Sequence, residues 1–329
     1  GVCGLGCKVK AKSSIDVTYI PKAEATGRVE VRTYCQAREI TVGDDRKVRS
    51  VVYFDAAGRE HEITARAFVV AGNAVETPRL LLMSTSARFP DGLANSNGLV
   101  GKYFMDHLNL GMSAVFSEWL EPWKGPMAGG MLQDFYATNK RNSFARGWMT
   151  EVNNGYQWPQ AVAVGESGWG VEHKRQMKRL VGHRLGLVTV GEQLPDIRNR
   201  VMLDPEQKDH LGLPVPRIIN EPRDNDQAML KAIKPHLQEV LSASGATEIA
   251  LTEYGPGRSL HYMGSCRMGK DPRSSVVDPF CRTHDVPNLF IGDGSVFVTG
   301  AAVNPTLTIA ALATRTSEHI AVAFKRGEL

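Results

Sequence analysis

The sequence predicts a mixed α/β fold, and three stretches of the chain carry that prediction. Residues 37–66 contain strand-like runs separated by turn residues. Residues 67–84 pass from a continuous apolar strand, through a glycine, to a helix. Residues 288–320 repeat that order with a short apolar strand, a glycine-containing turn and a long apolar helix. Strands that lead through glycine turns into helices are typical of open α/β sheets, whose ligands bind at the carboxyl ends of the strands.

Apolar and polar residues alternate in four strand-like runs near the start of the chain: 28–33, 37–42, 47–54 and 61–66. Turn residues separate the last three runs, so we expect an antiparallel meander. The next run, 67–72, is continuously apolar and predicts a buried strand. Residues 77–84 predict a helix with Pro78 in its first turn, where a missing N–H group costs nothing.

The middle of the chain, from residue 107 to about 250, shows less regular patterning and holds all five tryptophans. These aromatic side chains either line a sugar-sized or steroid-sized pocket or pack in the core and loops. Residues 192–218 predict paired strands around Gly212. Residues 224–244 predict a helix with apolar side chains on one face, which Pro235 should kink or break.

The region around residues 288–320 contains the residue types that chemistry needs. Asp293 places a carboxylate at the end of a predicted buried strand. Pro305 suits the first position of the helix that follows, and the N-terminus of a helix stabilises an anion. His261, in a glycine-containing loop upstream, is the one obvious general base of the region.

Composition excludes several classes of function. With 329 residues, 42% hydrophobic and 22% charged, the chain is ordinary for a globular protein of about two domains. A net charge of +4 is too small to indicate nucleic-acid binding. The basic run at residues 173–184 is expected to be a solvated helix face. No apolar stretch approaches the ~20 residues of a transmembrane helix, and the absence of an initiator Met prevents any prediction of localisation.

The five cysteines do not form the framework of a disulfide-rich protein. Cys3 and Cys7 are close enough for a local disulfide or half of a metal site. No second pair with zinc-like spacing follows, so we predict free or locally paired thiols and no metal. Cys266 is expected to serve packing alone.

Several motifs together resemble the glucose–methanol–choline (GMC) family of FAD-dependent oxidoreductases. HYMGSCRMG (261–269) resembles the histidine loop of that family, which is usually nearer HPVGTCRMG. NLFIGDGSVF (288–297) and NPTLTIAALATRTSEHI (304–320) resemble its closing FAD segment. AGNAVETPRLLLMS (71–84) and NSNGLVGKYFMDHLN (95–109) resemble two further signatures in the same order. The members that the sequence resembles most are flavoprotein subunits of sugar, polyol and gluconate dehydrogenases.

The resemblance implies an α/β (α+β) fold in three segments. Residues 1–106 would be the later part of a Rossmann-like FAD-binding domain, 107–250 an inserted, mainly antiparallel β substrate domain, and 251–329 the return segment of the FAD domain. The family's first βαβ unit, with its G-x-G-x-x-G turn, has no counterpart here. We therefore expect a truncated chain, whose partners would include the missing N-terminal segment and whose activity alone is uncertain.

The resemblance also assigns roles to site residues. His261 would take the hydroxyl proton, and Asn304 would both hold the developing alkoxide and cap the helix. His107 and His284 are expected to be structural. The residues expected to bind FAD are Ala37 at the adenine, Ala71 and Gly72 along the nucleotide, Asp293 and Gly294 near the ribityl chain, and Pro305 and Thr306 at the flavin.

The implied function is FAD-dependent oxidation of an alcohol CH–OH group, most simply on a sugar or polyol, with hydride transfer to the flavin. Three alternatives stay open: a cholesterol-oxidase-like enzyme that acts on sterols or other alcohols, a non-catalytic chain that keeps the fold, and a docking protein. The sequence does not distinguish an oxidase from a dehydrogenase. The expected partners are a small-molecule alcohol and either the missing N-terminal segment or an electron-transfer subunit.

Overall fold

A computed structural model describes residues 3, 7–154, 158–253 and 259–329, so that Cys3 alone of the opening GVCGLG is described. The chain divides into two compact units. Unit 1 comprises residues 1–32, 108–191 and 224–255. Unit 2 comprises residues 33–107, 192–223 and 256–329. Each unit is therefore built from three separate segments of the chain.

Six helices occur in the described residues: α1 (Tyr19–Glu24), α2 (Asn73–Met83), α3 (Pro159–Gly165), α4 (Gly170–Leu180), α5 (Asp224–Ala243) and α6 (Thr306–Lys325). The twelve strands are β1 (Gln36–Val42), β2 (Val48–Phe54), β3 (Glu60–Thr64), β4 (Phe68–Val70), β5 (Leu110–Val115), β6 (Ala128–Leu132), β7 (Trp148–Asn153), β8 (Arg184–Gly191), β9 (Arg200–Lys208), β10 (Pro214–Ile219), β11 (Glu248–Glu253) and β12 (Leu289–Ile291).

Unit 1 is built on a five-stranded antiparallel sheet in the order β11-β5-β8-β7-β6, against which α5 packs. The predicted apolar face of α5 is confirmed, with Met229, Ile233 and Leu237 fully buried. Pro235 was predicted to kink or break this helix. It does not break it, because α5 continues from Asp224 to Ala243 through Pro235. Pro235 is exposed, so water can bond to the carbonyl oxygen that the proline leaves without an N–H donor.

The sequence missed the strands of this sheet. The family resemblance implied a mainly antiparallel β segment at 107–250, but the residue pattern alone located none of β5, β6, β7 and β8, which lie there. Glycine, serine and threonine interrupt the apolar alternation in these strands, as in LGMSAV of β5, so their period of two is weak. The tryptophans follow the packing alternative in part, since Trp148 is buried and stacks on Phe135 at 4.7 Å between ring centroids.

Unit 2 contains the predicted meander. Strands β1, β2 and β3 pair in order and antiparallel, and β9 and β10 form the predicted hairpin around Gly212. The strand predicted at residues 28–33 is wrong, because these residues form no strand. Val29 and Val31 are exposed, and alternation without a neighbouring strand gives the backbone no hydrogen-bond partner.

Helix α2 begins earlier than the sequence suggested, and Pro78 therefore lies inside it rather than in its first turn. The side chain of Asn73 accepts hydrogen bonds from the N–H groups of Val75 and Glu76, which fixes the helix start. Pro78 cannot donate to the carbonyl of Ala74, four residues earlier. The hydroxyl of Ser265 donates to that carbonyl instead, at 2.8 Å, so the buried oxygen remains satisfied.

Strands β4 and β12 form a parallel pair, with Val70 opposite Ile291. Because both strands run in the same direction, the residues that follow them meet at one edge. Ala71 and Gly72 leave β4 at this edge, and Gly292 and Asp293 leave β12 there. None of the helices that the structure describes is long and apolar enough to cross a membrane.

Candidate active site

The edge formed by the ends of β4 and β12 is held together by Asp293. Its side chain accepts hydrogen bonds from the hydroxyl of Thr77, from the backbone N–H of Asn73 at 3.1 Å and from that of Ser295 at 2.8 Å. A carboxylate offers about four acceptor sites, so three are occupied by the protein. Asp293 is thus a turn-forming residue that ties the start of α2 to the turn after β12.

A cavity of about 580 Å³ opens beside this edge. Its walls include Ala37 from β1 and Gly72 from the β4–α2 turn, so two of the seven predicted cofactor residues meet in one cavity. The other five do not line it. Arg79, also in the wall, is 2.7 Å from Asp209 and 3.0 Å from Glu76. This ion-paired group attaches the β9–β10 hairpin to α2.

The loop of His261 is joined to the same edge through the residues that follow it. The N–H of Gly264 donates to the carbonyl of Gly294 at 3.1 Å, and the N–H of Cys266 donates to that of Ser295 at 2.9 Å. Gly264 has φ +74°, and a Cβ atom here would lie 2.0 Å from the carbonyl oxygen of Tyr103. Glycine is therefore required for this close approach.

His261 contacts a second histidine. The Nδ1 atoms of His107 and His261 are 2.9 Å apart, and the ring planes cross at 86°. The Nε2 atom of His107 is 2.7 Å from the carbonyl oxygen of Ala301 and 3.3 Å from that of Gly300. Burial, together with the neighbouring His261, lowers the pKa of His107 to about 4. Burial also lowers the pKa of His261, so both rings are neutral at pH 7.

Asp106 fastens both histidine segments. Its Oδ1 atom accepts the backbone N–H groups of His107 and His261, each at 2.9 Å. Its own N–H donates to the side chain of Gln193 at 2.9 Å. The side chain is 2% exposed, and burial raises the pKa of the Asp106 carboxyl, although the N–H donors of His261 and His107 oppose that rise.

The sequence analysis places Asp106 at a domain boundary and gives His107 a structural role, so neither residue is predicted to belong to the site. The one sequence signal that could have indicated them is the MDH triplet within NSNGLVGKYFMDHLN. His284, by contrast, remains structural, since its Nε2 atom lies 2.9 Å from the hydroxyl of Ser275. Cys266 is fully buried, in agreement with a packing role.

Asn304 lies just before α6, with its side chain exposed. The helix begins at Thr306, and the residue before it, Pro305, occupies the N-cap position. The expectations that Pro305 takes the first helical position and that Asn304 caps the helix are therefore both wrong. Pro305 is buried, which fixes the chain's entry into the helix. Asn304 makes no hydrogen bond to the described residues, and its amide is available to a ligand.

Among the described residues, no group of three or more metal-ligating side chains lies close enough to hold a metal ion. The five cysteines are free thiols. The site brings together two imidazole rings, and the crevice at the strand ends lies in the same unit. In open α/β sheets such a crevice is where ligands bind, and a neutral imidazole can accept a proton.

Comparison with known proteins identifies the family. The GMC oxidoreductase N-terminal domain matches residues 1–109, and its C-terminal domain matches residues 195–313. The chain belongs to the GMC oxidoreductase family, in which FAD is the cofactor and the reaction is an oxidoreduction. The recognition made from the sequence motifs is thus confirmed, as are the mixed α/β fold class and the flavin cofactor.

Two curated relatives show how much of such proteins the chain represents. It is 39% identical to 2-methyl-1,2-propanediol dehydrogenase of Mycolicibacterium austroafricanum, over 93% of this chain and 57% of that protein. It is 34% identical to the fructose dehydrogenase large subunit of Gluconobacter japonicus, over 85% of this chain and 52% of that protein. The chain thus spans about half the length of these relatives.

The fold is also that of solved flavoenzyme structures. The formate oxidase of Aspergillus oryzae superimposes with a TM-score of 0.65 and 16% sequence identity, covering 89% of this chain and 60% of that chain. At this identity the likeness concerns the fold alone. It agrees with the α/β architecture described above.

Proposed function

We propose that the protein oxidises the CH–OH group of an alcohol to a carbonyl group, with His261 as general base. The supporting observation is that the loop of His261 is hydrogen-bonded to the turn that follows Asp293, through Gly264 and Gly294. The base and the cofactor crevice thereby share one scaffold within unit 2. A base must be held within hydrogen-bond reach of the proton that it removes, and this connection supplies the rigidity.

The proton balance follows from the state of the imidazole. His261 is neutral because burial lowers its pKa, so one ring nitrogen can accept the hydroxyl proton at neutral pH. When bound, oxidised FAD supplies a two-electron acceptor for the hydride that leaves the carbon bearing this hydroxyl group. The alcohol loses one proton and one hydride in total and becomes a carbonyl compound. The exposed amide of Asn304 hydrogen-bonds the oxygen as negative charge develops on it.

The chain's residues fit a flavin dinucleotide. Ala37 and Gly72 present no bulky side chain to the 580 Å³ cavity, which suits close contact with a nucleotide. We assign the nucleotide to Ala37, Ala71 and Gly72, the ribityl chain to Asp293 and Gly294, and the anionic edge of the flavin to Pro305 and Thr306. The 20-residue helix α6 begins at Thr306, and its unpaired N–H groups and dipole favour negative charge.

We further propose a sugar or polyol as the substrate. Fructose dehydrogenase and 2-methyl-1,2-propanediol dehydrogenase, both more than 30% identical to this chain, are named for a sugar and a diol. The fructose enzyme's chain is a large subunit, which supports a further subunit as a partner here, and we propose that this subunit takes electrons from the flavin. A long-chain alcohol is the second candidate, because long-chain-alcohol oxidase FAO4A of Arabidopsis thaliana matches at 26% identity over 95% of this chain.

The proposal is tested by anaerobic reduction of the flavin-loaded enzyme. A vicinal diol, a hexitol, a ketose and a long-chain primary alcohol are mixed with it in turn, and bleaching of the flavin absorbance is followed. Bleaching by the polyols but not by the long-chain alcohol supports the first candidate, and the reverse supports the second. If none of them bleaches the flavin, the assignment to alcohol oxidation is wrong.

A further inference from the structure

The contact between His107 and His261 determines which nitrogen of His261 carries its proton. The two Nδ1 atoms are 2.9 Å apart, which is a hydrogen-bond distance. In a neutral imidazole one nitrogen is a donor and the other an acceptor. One of the two facing Nδ1 atoms must therefore carry a proton while the other presents its lone pair.

The remaining contacts of His107 decide between the two possibilities. Its Nε2 atom faces the carbonyl oxygen of Ala301 at 2.7 Å and that of Gly300 at 3.3 Å. A carbonyl oxygen can only accept, so Nε2 of His107 must carry the proton. In the neutral ring, Nδ1 of His107 is then the acceptor, and Nδ1 of His261 is the donor.

We propose that His107 is a positioning residue that fixes His261 as the Nδ1–H tautomer, so that Nε2 of His261 holds the free lone pair. This nitrogen makes no hydrogen bond to the described residues and is the atom that takes the substrate's hydroxyl proton. The role at the substrate rests on the proposed function, whereas the tautomer depends only on the two rings and the carbonyl groups.

The opposite arrangement is costly. If His261 carried its proton on Nε2, two lone pairs would face each other at 2.9 Å unless His107 became a cation. His107 is 4% exposed, and a charge there would be desolvated. The groups that face the pair are the carbonyl groups of Gly300 and Ala301 and the Asp106 carboxyl, which bonds to the backbone and not to either ring. Burial keeps the pKa of His107 near 4.

The same arrangement suits the charged state. After His261 accepts a proton on Nε2, its Nδ1–H still donates to His107, and this bond becomes charge-assisted. Neither ring has to rotate during the transfer. A base that is preorganised in this way needs no reorganisation of its surroundings at the moment of reaction.

The tautomer is measured by NMR on the full chain labelled with ¹⁵N and ¹³C in histidine. Two-bond and three-bond ¹H–¹⁵N correlations distinguish a protonated ring nitrogen from one that presents a lone pair. At neutral pH we expect Nδ1 of His261 in the protonated range and Nε2 in the unprotonated range. Spectra of His261→Gln assign the signals, and His284→Gln, at a histidine whose ring contacts Ser275, should leave them unchanged.

Two variants of His107 test the cause. His107→Asn retains a side-chain oxygen near the position of Nδ1 and should preserve the Nδ1–H tautomer of His261. His107→Phe removes the acceptor and should move His261 to the Nε2–H form that predominates in water. In the flavin-loaded enzyme, His107→Phe should slow flavin reduction by about tenfold or more, up to the roughly 10²–10⁴-fold that a general base contributes in full, with less change in substrate Kd.

The outcomes separate the two proposals. An Nε2–H signal for His261 in the unmodified chain overturns the tautomer assignment, whether or not the enzyme oxidises alcohols. This result needs no variant, so it holds even if His107→Phe fails to fold. Retention of the Nδ1–H form in a folded His107→Phe variant overturns the role of His107. If the tautomer is as expected but His261→Gln reduces flavin at the normal rate, the proposed general base fails and the assignment stands.

Discussion

Asp106 is the single acceptor shared by both histidine segments, and replacing it with alanine should loosen both. Its Oδ1 atom accepts two backbone N–H groups at 2.9 Å, and the side chain is 2% exposed. A hydrogen bond to a charged group contributes about 1.5–3 kcal/mol, so two contribute about 3–6 kcal/mol. Removing the buried charge offsets part of this loss. We expect Asp106→Ala to lower the free energy of unfolding by about 2–4 kcal/mol.

Asp106→Asn is the matched control, because its amide oxygen can accept both N–H groups without a buried charge. We expect it to cost about 1 kcal/mol or less. The pH dependence has a defined sign. Burial raises the pKa of Asp106 above its unfolded value, which is about 3.9. The carboxyl therefore contributes most below that value and loses its contribution as pH rises through the folded pKa. The advantage of the unmodified chain over Asp106→Asn should shrink from pH 4 to pH 7.

The assay must report on unit 2, and tryptophan fluorescence does not, since all five tryptophans lie between residues 119 and 169, in unit 1. Hydrogen exchange followed by mass spectrometry on peptides covering 100–108 and 259–268 measures the local opening directly. Asp106→Ala should speed exchange in both peptides, and Asp106→Asn should not. Equal exchange in the two variants, or faster exchange in only one of the two peptides, would refute the shared-acceptor role.

Three further substitutions test other parts of the site. His261→Ala should slow flavin reduction by roughly 10²–10⁴-fold in stopped-flow experiments, with His284→Gln as the control; an unchanged rate would remove His261 from the reaction. Asn304→Ala should slow flavin reduction more than it weakens substrate binding. It should leave the unfolding midpoint unchanged, because Asn304 does not cap α6. A variant that loses stability but keeps its reduction rate would contradict both expectations. Burial raises the pKa of Asp209, but hydrogen bonds from Arg79, Leu213 and Gln36 outweigh burial and lower this pKa to about 2. Asp209→Asn should therefore destabilise the β9–β10 hairpin at pH 7. Its effect should fade as pH falls from about 3.9 towards 2, and a destabilisation that does not change with pH in denaturant titrations would argue against the ion pair.

The parts of the fold that the sequence predicted are those with a strong local period. The strands of the meander alternate, β12 is a short apolar run between turn residues, and α5 repeats apolar residues along one face. The sheet of unit 1 lacked such a signal, because its strands mix glycine and threonine with apolar residues, as in RLGLVTVG of β8. Strand pairing then depends on neighbours far along the chain. The run at 28–33 shows the converse, since its alternation has no partner strand.

The candidate site divides in the same way. His261 and Asn304 stand in motifs that can be recognised from one sequence, and so do Asp293 and the start of α6. The contact between His107 and His261 joins residues 154 positions apart. A histidine that touches another through tertiary structure has no local pattern to distinguish it from a packed one. The sequence therefore indicates the proposed base but not the histidine that contacts it.

The pairing of two short segments explains why the histidines meet. Met105 and Met263 form an antiparallel bridge, with hydrogen bonds of 2.8 and 2.9 Å between their backbones. In an antiparallel register, the residue two positions after one partner lies opposite the residue two positions before the other. His107 and His261 hold these positions, and a period of two places both side chains on one face. A shift of one residue would put the side chain of Tyr262 opposite His107 instead. The positive φ of Gly264, one residue beyond the bridge, lets the segment turn away towards the strand-end crevice. The register of this one bridge therefore aligns His261, the proposed base, with His107, the residue proposed to orient it.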